Sequence, residues 1–423
     1  MAGTAQDAPR GKTPWGAFWS LVVIQCMNSL NEKGVQFLLI ALGIWMASAL
    51  QYPLSILIVV PFVLFSPLAG WLSDRYCKTR LLQSMVLLQV VVLAGMTAGL
   101  FLHSLELAVG FFTVFCVQAM FFSPAKKGLV KDMVGTQNIG FASGILEITS
   151  MLALLVGQIG ALSVVYMLLR EWGADSGWEA AAVPCACCAG GAVLVFLLSL
   201  SIPRYKPQST RPFEWSLLWQ HFTQLRMLWR VPVLRNSEIG ICYFWFIAGT
   251  MMLVALQMAA EANPVASSAD FMQVLGQQKD SAVLFAWLSG GAIAGGLVAS
   301  IVCARAIRLW VAHIGGLGMV AGCTAMALAP YGHPAFYAAL TLTGFSAAGY
   351  LVPLNARLQD RADNDKRGDV IAAGNLVDCF MGIMAVVIQG GMMSAGLSPQ
   401  WQCAILAVVT AAVAVFLLRE KEG

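Results

Sequence analysis

The sequence is divided into long apolar blocks, and these blocks constrain the fold more than any other feature. Each block holds roughly 20 residues, the length that an α-helix needs to cross about 30 Å of hydrocarbon. Charged residues make up only 11% of the 423 residues, whereas a soluble domain usually carries about 25%. The sequence therefore predicts an all-α polytopic membrane protein.

The apolar blocks predict twelve transmembrane helices in two groups of six. To within a few residues, the predicted spans are 16–42, 53–73, 81–102, 105–123, 140–167, 181–202, 237–260, 281–304, 309–329, 334–354, 370–394 and 400–418. Between the groups, the stretch "FEWSLLWQHFTQLRMLW" has aromatic and Leu residues at the spacing of a helix that lies flat in the cytoplasmic interface. We predict an N-terminal six-helix half at 1–203, a cytoplasmic linker at 204–236 and a C-terminal six-helix half at 237–423.

The Lys and Arg residues predict the orientation of the chain. With the N-terminus in the cytoplasm, all of the 25 Lys and Arg residues except Lys33, Arg170 and Lys279 fall in cytoplasmic segments. Cytoplasmic loops of membrane proteins carry such an excess of positive charge. An even number of spans places both termini on the same side. We therefore predict a multi-pass protein with both termini in the cytoplasm.

Two segments of the chain resemble each other. "SPAKKGLVKD" at 123–132 ends the fourth span, and "VPLNARLQDR" at 352–361 ends the tenth. About 20 residues further on, "GILE" places Glu147 and "GNLVD" places Asp378 about one helical turn after a glycine. This internal repeat predicts two six-helix halves around a central cavity, with a binding site near the midplane of the membrane.

Glu32 and Lys33 interrupt the apolar first span, in "SLNEKGVQ" at 29–36. Neighbours in sequence point about 100° apart on a helix, so the two side chains do not form one simple pair. A charge in lipid costs several kcal/mol unless it faces a water-filled cavity. Either both residues line a cavity, or the span breaks here and the crossing is 35–50. Four polar residues follow a helical stripe with Glu32, which favours the cavity: Gln25, Asn28, Asn31 and Gln36.

Glu147 and Asp378 are two further acids well inside predicted spans. Each has two open interpretations: a substrate or proton-coupling site, or a buried acid paired with a basic residue of a neighbouring helix for assembly.

The loop between the second and third spans, "GWLSDRYCKTR" at 70–80, resembles the loop signature of the major facilitator superfamily, G-x-L-a-D-r-x-G-r-k-r. Cys77 stands where the signature has a glycine. In that superfamily the loop fastens the cytoplasmic ends of the two halves in one of the alternating states. The resemblance therefore implies a major facilitator fold and a conformational latch formed by Gly70, Asp74, Arg75, Lys78 and Arg80.

A narrower resemblance is carried by "FSPAKKGLV", "SGILEITSMLALLVGQIGA" and "VPLNARLQDR…AAGNLVD". These stretches resemble the lysophospholipid transporter (LplT) family of the bacterial inner membrane. The resemblance implies a lysophospholipid substrate, membrane lipids as surroundings and an acyltransferase as a partner. It also implies that Glu32 and Lys126 serve the path of the headgroup. Met252 stands where the family has a basic residue on its seventh span.

The lysines after the fourth span have two interpretations. Lys126 and Lys127 are either membrane anchors or, for Lys126, a contact for the substrate phosphate, because a lysine is a point charge suited to phosphate. Asn355 is a weaker candidate for the same role. Lys131 and Asp132 are predicted to lie in a solvated loop.

The sequence shows no catalytic set, no Walker loop ending in G-K-[ST] and no pair of His at metal spacing. We expect no enzyme activity, no cofactor, no metal and no nucleic-acid partner. The resemblance to the LplT family favours a secondary transporter with alternating access for lysophospholipids. Two other functions stay open: a proton-coupled carrier for a small soluble solute or drug, driven through Glu32, Glu147 or Asp378, and a non-transporting membrane scaffold for a lipid-remodelling acyltransferase.

Overall fold

The computed structural model describes residues 14–418, apart from 47–49, 174, 206, 208, 211, 217–219, 263–270 and 364–365. Over these ranges the chain forms twelve helices and no strand. The helices are α1 (Trp15–Trp45), α2 (Gln51–Arg75), α3 (Lys78–Phe101), α4 (Leu105–Trp172), α5 (Gly177–Ser199), α6 (His221–Arg230), α7 (Pro232–Ala262), α8 (Phe271–Val302), α9 (Leu309–Leu328), α10 (Pro334–Arg361), α11 (Arg367–Ser394) and α12 (Pro399–Leu418).

Helix α4 contains two membrane crossings. Its 68 residues would extend about 100 Å as one straight helix, far more than the thickness of a bilayer. The backbone breaks at Gly135, where φ is 68° and ψ is 175°. Glycine adopts this conformation at little cost because it has no Cβ. The two parts of α4 on either side of Gly135 correspond to the predicted fourth and fifth spans. Both predicted spans were too short, because the first part continues past residue 123 and the second part begins before residue 140.

The described helices provide twelve membrane crossings. Ten helices within the described ranges are long and apolar enough to cross a membrane, and α4 is one of them. The twelfth crossing is α1, whose 31 residues extend about 46 Å but include the polar stripe around Glu32. The predicted all-α fold with two six-helix halves is confirmed.

Each half has a core of its own. In the first half, α1, α3 and α5 pack against α4; in the second, α7, α8 and α9 pack against α10. The residues that begin and end each half, 1–203 and 237–423, stay a prediction. Six of the basic residues used for the orientation lie outside the described residues: Arg10, Lys12, Lys206, Arg211, Arg419 and Lys421.

Glycines bring α8 close to α10. A Cβ at Gly295 would lie 1.9 Å from the carbonyl oxygen of Phe345, and a Cβ at Gly291 would lie 2.1 Å from that of Thr341. Only glycine permits this approach, which is the small-residue packing typical of membrane helices. The glycine-rich stretch "LSGGAIAGGLVAS" therefore has the packing role predicted from the sequence.

The linker contributes the short helix α6, which packs against α7 and α11. The Gln224 amide nitrogen (Nε2) donates to Asp369 Oδ1 at 2.8 Å, and Leu228 is fully buried. The helix begins at His221 rather than near Phe213 as the sequence suggested. Its contacts tie the linker to the first turn of α11.

Candidate functional site

One end of the bundle, which we call the basic end, is fastened by a buried ionic cluster around Asp132. Lys78 Nζ lies 3.2 Å from Asp132 Oδ2, and the Arg367 guanidinium lies 3.3 Å from Asp132 Oδ1. Lys78 and Arg367 are each 1% exposed. Because Lys78 and Asp132 belong to the first half and Arg367 to the second, the cluster joins the two halves.

Asp74 makes a second connection between the halves. Both of its carboxylate oxygens accept a hydrogen bond from the Gly368 backbone N–H, at 2.9 and 3.1 Å. A Cβ at Gly70 would lie 2.9 Å from the Asp369 backbone, so α2 can approach α11 this closely only with glycine at position 70. We call Asp74, Lys78, Asp132, Arg367 and Gly368 the latch cluster.

The predicted latch residues thus fall into two groups. Gly70, Asp74 and Lys78 lie in the contact between the halves. Arg75 is half-buried and Arg80 is exposed, and neither forms an ion pair with the described residues. Cys77, in place of the expected glycine, has φ of −59°, a backbone conformation open to any residue, so the turn does not need glycine.

The prediction of a solvated loop at Lys131 and Asp132 was wrong. Both residues lie inside α4 before its break. Lys131 Nζ lies 3.3 Å from Asp360 Oδ1, which adds another ion pair between the halves. Burial and the negative charge of Asp132 also raise the pKa of the Tyr205 phenol in the linker.

Further from the basic end lies a layer of polar side chains that we call the charged floor: Lys126, Lys127, Glu147, Asn355 and Asn375. The Asn355 amide donates to Glu147 Oε1 at 3.3 Å. Lys127 Nζ donates to Asn375 Oδ1 at 3.1 Å. Glu147 is about 18 Å along α4 from its break, well inside the membrane-crossing part. The floor therefore joins α4 of the first half to α10 and α11 of the second.

Lys126 and Glu32 occupy the centre of the first half. Lys126 lies close enough to both Glu32 and Glu147 for their charges to interact. The Lys126 ammonium also lies 5.9 Å from the centre of the Phe122 ring. Lys126 and Glu32 are half-buried, so part of each side chain stays accessible. The structure thus brings one cation within range of the charges of two acids. One of these acids, Glu32, lies about 26 Å along α1 from its first residue.

Glu32 and Lys33 do not form one simple ion pair, in agreement with the angle of about 100° between neighbours on a helix. Lys33 Nζ donates to Gln36 Oε1 at 2.9 Å, one turn further along α1. Gln25, another member of the polar stripe, donates to Ser150 of α4 at 2.7 Å. Helix α1 is continuous from Trp15 to Trp45, so the alternative in which the first span breaks at Glu32 is wrong.

Asp378 lies on α11, with a carboxyl oxygen that is buried and has no hydrogen-bond partner among the described residues. The Trp245 side chain of α7 lies near the Asp378 carboxyl group. Glu238, also on α7, is a residue that sequence reasoning missed. It is 1% exposed, and neither of its carboxyl oxygens has a hydrogen-bond partner in the described part of the chain. The charges of Glu238 and Asp378 interact with each other and with Lys127.

Met252 lies in the hydrophobic core of the second half and is 7% exposed. The seventh span therefore presents no cation at this position. The buried acid that α7 contributes to the interior is Glu238, nearer the basic end.

The close contacts between the halves described above lie towards the basic end. They include the packing of α4 on α8, where a Cβ at Gly140 would lie 2.5 Å from the Cys303 carbonyl oxygen and a Cβ at Gly144 would lie 1.8 Å from Ser300 Oγ. The basic end is therefore sealed by direct contacts between the two halves.

A twelve-span bundle with charges at its centre and one sealed end defines a polytopic membrane carrier. A sequence model of the Major Facilitator Superfamily matches residues 15–386, which is most of the chain. The chain belongs to the major facilitator superfamily, and the resemblance seen in its loop signature is confirmed.

Two relatives show how far the similarity extends. The lysophospholipid transporter LplT of Klebsiella pneumoniae strain 342 is 26% identical over 389 residues, which cover 90% of this chain and 89% of the relative. The lysophospholipid transporter LplT of Salmonella typhimurium strain LT2 is 27% identical over 367 residues, covering 84% of this chain and 83% of the relative.

Solved structures share the fold at low identity. The E. coli fucose:proton symporter FucP aligns with a TM-score of 0.73 at 13% identity, covering 96% of this chain and 98% of the symporter. The human organic anion transporter MFSD10 aligns with a TM-score of 0.66 at 13% identity, covering 96% and 100%. These two proteins share the fold and are named for different substrates.

Proposed function

We propose that this protein is a secondary transporter with alternating access that moves lysophospholipids across the bacterial inner membrane. The observation that carries the proposal is that Lys126, a half-buried cation beside Phe122, interacts with the charges of both Glu32 and Glu147 inside a bundle that is sealed at the basic end. The basic end is assigned to the cytoplasm by its positive charges. In this assignment the substrate is taken up from the outer leaflet, and the present conformation faces outward.

The arrangement of charges matches a zwitterionic headgroup. A phosphate needs a cation nearby, and Lys126 supplies one next to the apolar ring of Phe122. An amine needs an anion, and Glu32 or Glu147 can supply it on either side of the lysine. Lys33 and Asn355 extend the polar surface at these two acids. The site thus offers both halves of the headgroup a partner of opposite charge.

The latch cluster is assigned the role of holding the outward-facing state. Opening the cytoplasmic end would separate Asp132 from Arg367 and Asp74 from the Gly368 backbone, because the partners belong to different halves. The roles of Arg75 and Arg80 in this motion stay a prediction. The similarity to the LplT relatives supports a lysophospholipid substrate and, more distantly, an acyltransferase that acts on the delivered lipid.

A transport assay tests the proposal. The purified protein is reconstituted into vesicles, and uptake of labelled lysophosphatidylethanolamine is compared with uptake of a panel of sugars and drugs. We expect saturable lysolipid transport and no transport of the panel. Transport of a sugar or drug with no lysolipid movement would support a small-solute carrier instead. A folded protein that moves none of these, yet still complements a deletion strain, would support the scaffold.

A further inference from the structure

Helices α7 and α11 bring two carboxyl groups together beside the charged floor. Gly374 and Asp378 are four residues apart on α11, so they lie on the same face of that helix. A Cβ at Gly374 would lie 2.9 Å from Glu238 Oε2, which places the Glu238 carboxyl directly over this face. We call Glu238 and Asp378 the carboxyl pair.

The pair has far fewer hydrogen bonds than two ionised carboxylates need. Neither oxygen of Glu238 has a partner among the described residues, and Asp378 Oδ1 has none either. Glu238 is almost completely buried. An ionised carboxylate in such a place is costly unless charges of opposite sign surround it, and two carboxylates that share one site repel each other.

Lys127 is the cation that faces the pair. It interacts with the charges of both acids and is held in place by its hydrogen bond to Asn375 on α11. Two carboxylates and one ammonium leave one uncompensated negative charge. The other titratable groups near the pair are Glu147 on α4, Cys242 on α7, Cys379 on α11 and, close to Gly240, Tyr350 on α10. None of them supplies a second cation.

We propose that Glu238 and Asp378 form a proton-binding site in which the two carboxyl groups share one proton, and that Lys127 sets the pH at which this proton leaves. A hydronium ion gives a proton to one carboxylate oxygen and departs as water, which makes the group of two acids and one lysine neutral. Because Lys127 comes from the first half and the pair from the second, separation of the halves changes how firmly the proton is held. The site is independent of the identity of the transported substrate.

Difference infrared spectroscopy on the full chain in lipid nanodiscs tests the shared proton. At about pH 7, exposed carboxyl groups are ionised, so a carbonyl band of protonated carboxyl at that pH belongs to a protected group. Either Glu238→Gln or Asp378→Asn should remove the same band, since one remaining acid is neutralised by Lys127. The exposed Glu171 provides a matched control, and Glu171→Gln should leave the band unchanged. Loss of the band in only one of the two variants, or in neither, would overturn a shared proton.

Lys127→Met tests the second part of the proposal. Without the cation, the band should persist to a pH about one unit or more higher than in the native protein. An unchanged titration would show that Lys127 does not control the proton. Addition of sodium at constant pH should leave the band intact, and its disappearance would identify a site for an alkali cation instead. No lysolipid is present in either measurement, so failure of this proposal and failure of the proposed transport function are distinguishable.

Discussion

Replacing Lys126 by Ala is expected to reduce lysophosphatidylethanolamine uptake by at least about tenfold, because a hydrogen bond to a charged group contributes about 1.5–3 kcal/mol. Lys126 is half-buried beside Phe122 and is the cation that Glu32 and Glu147 share. Its loss leaves the phosphate facing both acids without the cation that interacts with each of them. Initial uptake rates in reconstituted vesicles measure the effect.

The charge-retaining variant Lys126→Arg should keep much of the activity, which separates loss of charge from loss of folding. Glu32→Gln sharpens the experiment further. It removes an anion that we assign to the amine, so uptake of lysophosphatidylethanolamine should fall while uptake of lysophosphatidylglycerol, which has no amine, should fall much less. Near-normal uptake of both lipids by Lys126→Ala would remove Lys126 from the headgroup path.

Replacing Asp132 by Asn is expected to open the basic end. The substitution leaves the buried charges of Lys78 and Arg367 without their shared carboxylate, and breaking a buried ion pair in this way costs about 3–5 kcal/mol. The cost falls on the sealed conformation, because both cations regain water when the halves separate. Since 1.4 kcal/mol corresponds to a tenfold change in an equilibrium, the equilibrium should shift strongly towards the open state.

The native Cys303 thiol can report this opening, so no cysteine has to be introduced. It is fully buried where α4 packs on α8, and burial raises the pKa of its thiol from the ordinary value of 9.0. Opening exposes the thiol and favours the reactive thiolate. Alkylation of Cys303, followed by mass spectrometry, should become at least about tenfold faster in Asp132→Asn. The exposed Asp175 gives the control Asp175→Asn, and equal protection of Cys303 in all three proteins would contradict the role of the latch cluster.

Local pattern was sufficient to predict the membrane spans. The apolar blocks, the polar stripe on α1 and the loop signature at 70–80 each depend on residues close together in sequence, and each reappears in the structure. The same holds for the glycines of α8, whose spacing alone indicates a face for close packing. Glu147 and Asp378 were found because charges inside apolar blocks are conspicuous.

The partners of these charges could not be predicted in the same way. Asp132 stands among charged residues and resembles a loop residue, yet it lies in a helix. Its charge is paired there by Lys78 and Arg367, which reach it from 54 and 235 positions away. Glu238 lies near the start of α7, where an acid is ordinarily attributed to the membrane surface. Only the packing of α7 on α11, through Gly374, shows that it is buried.

The most direct test of the account is to locate the bound headgroup. A lysophosphatidylethanolamine analogue with a photoreactive group on its amine is incubated with the full chain in nanodiscs, irradiated and mapped by mass spectrometry. We expect adducts within 28–36 of α1 and 122–127 and 147–150 of α4, and expect unlabelled lysolipid to compete them away. Adducts confined to lipid-facing positions such as Val408 and Leu194, with none beside Lys126, would contradict a headgroup site at the charged floor.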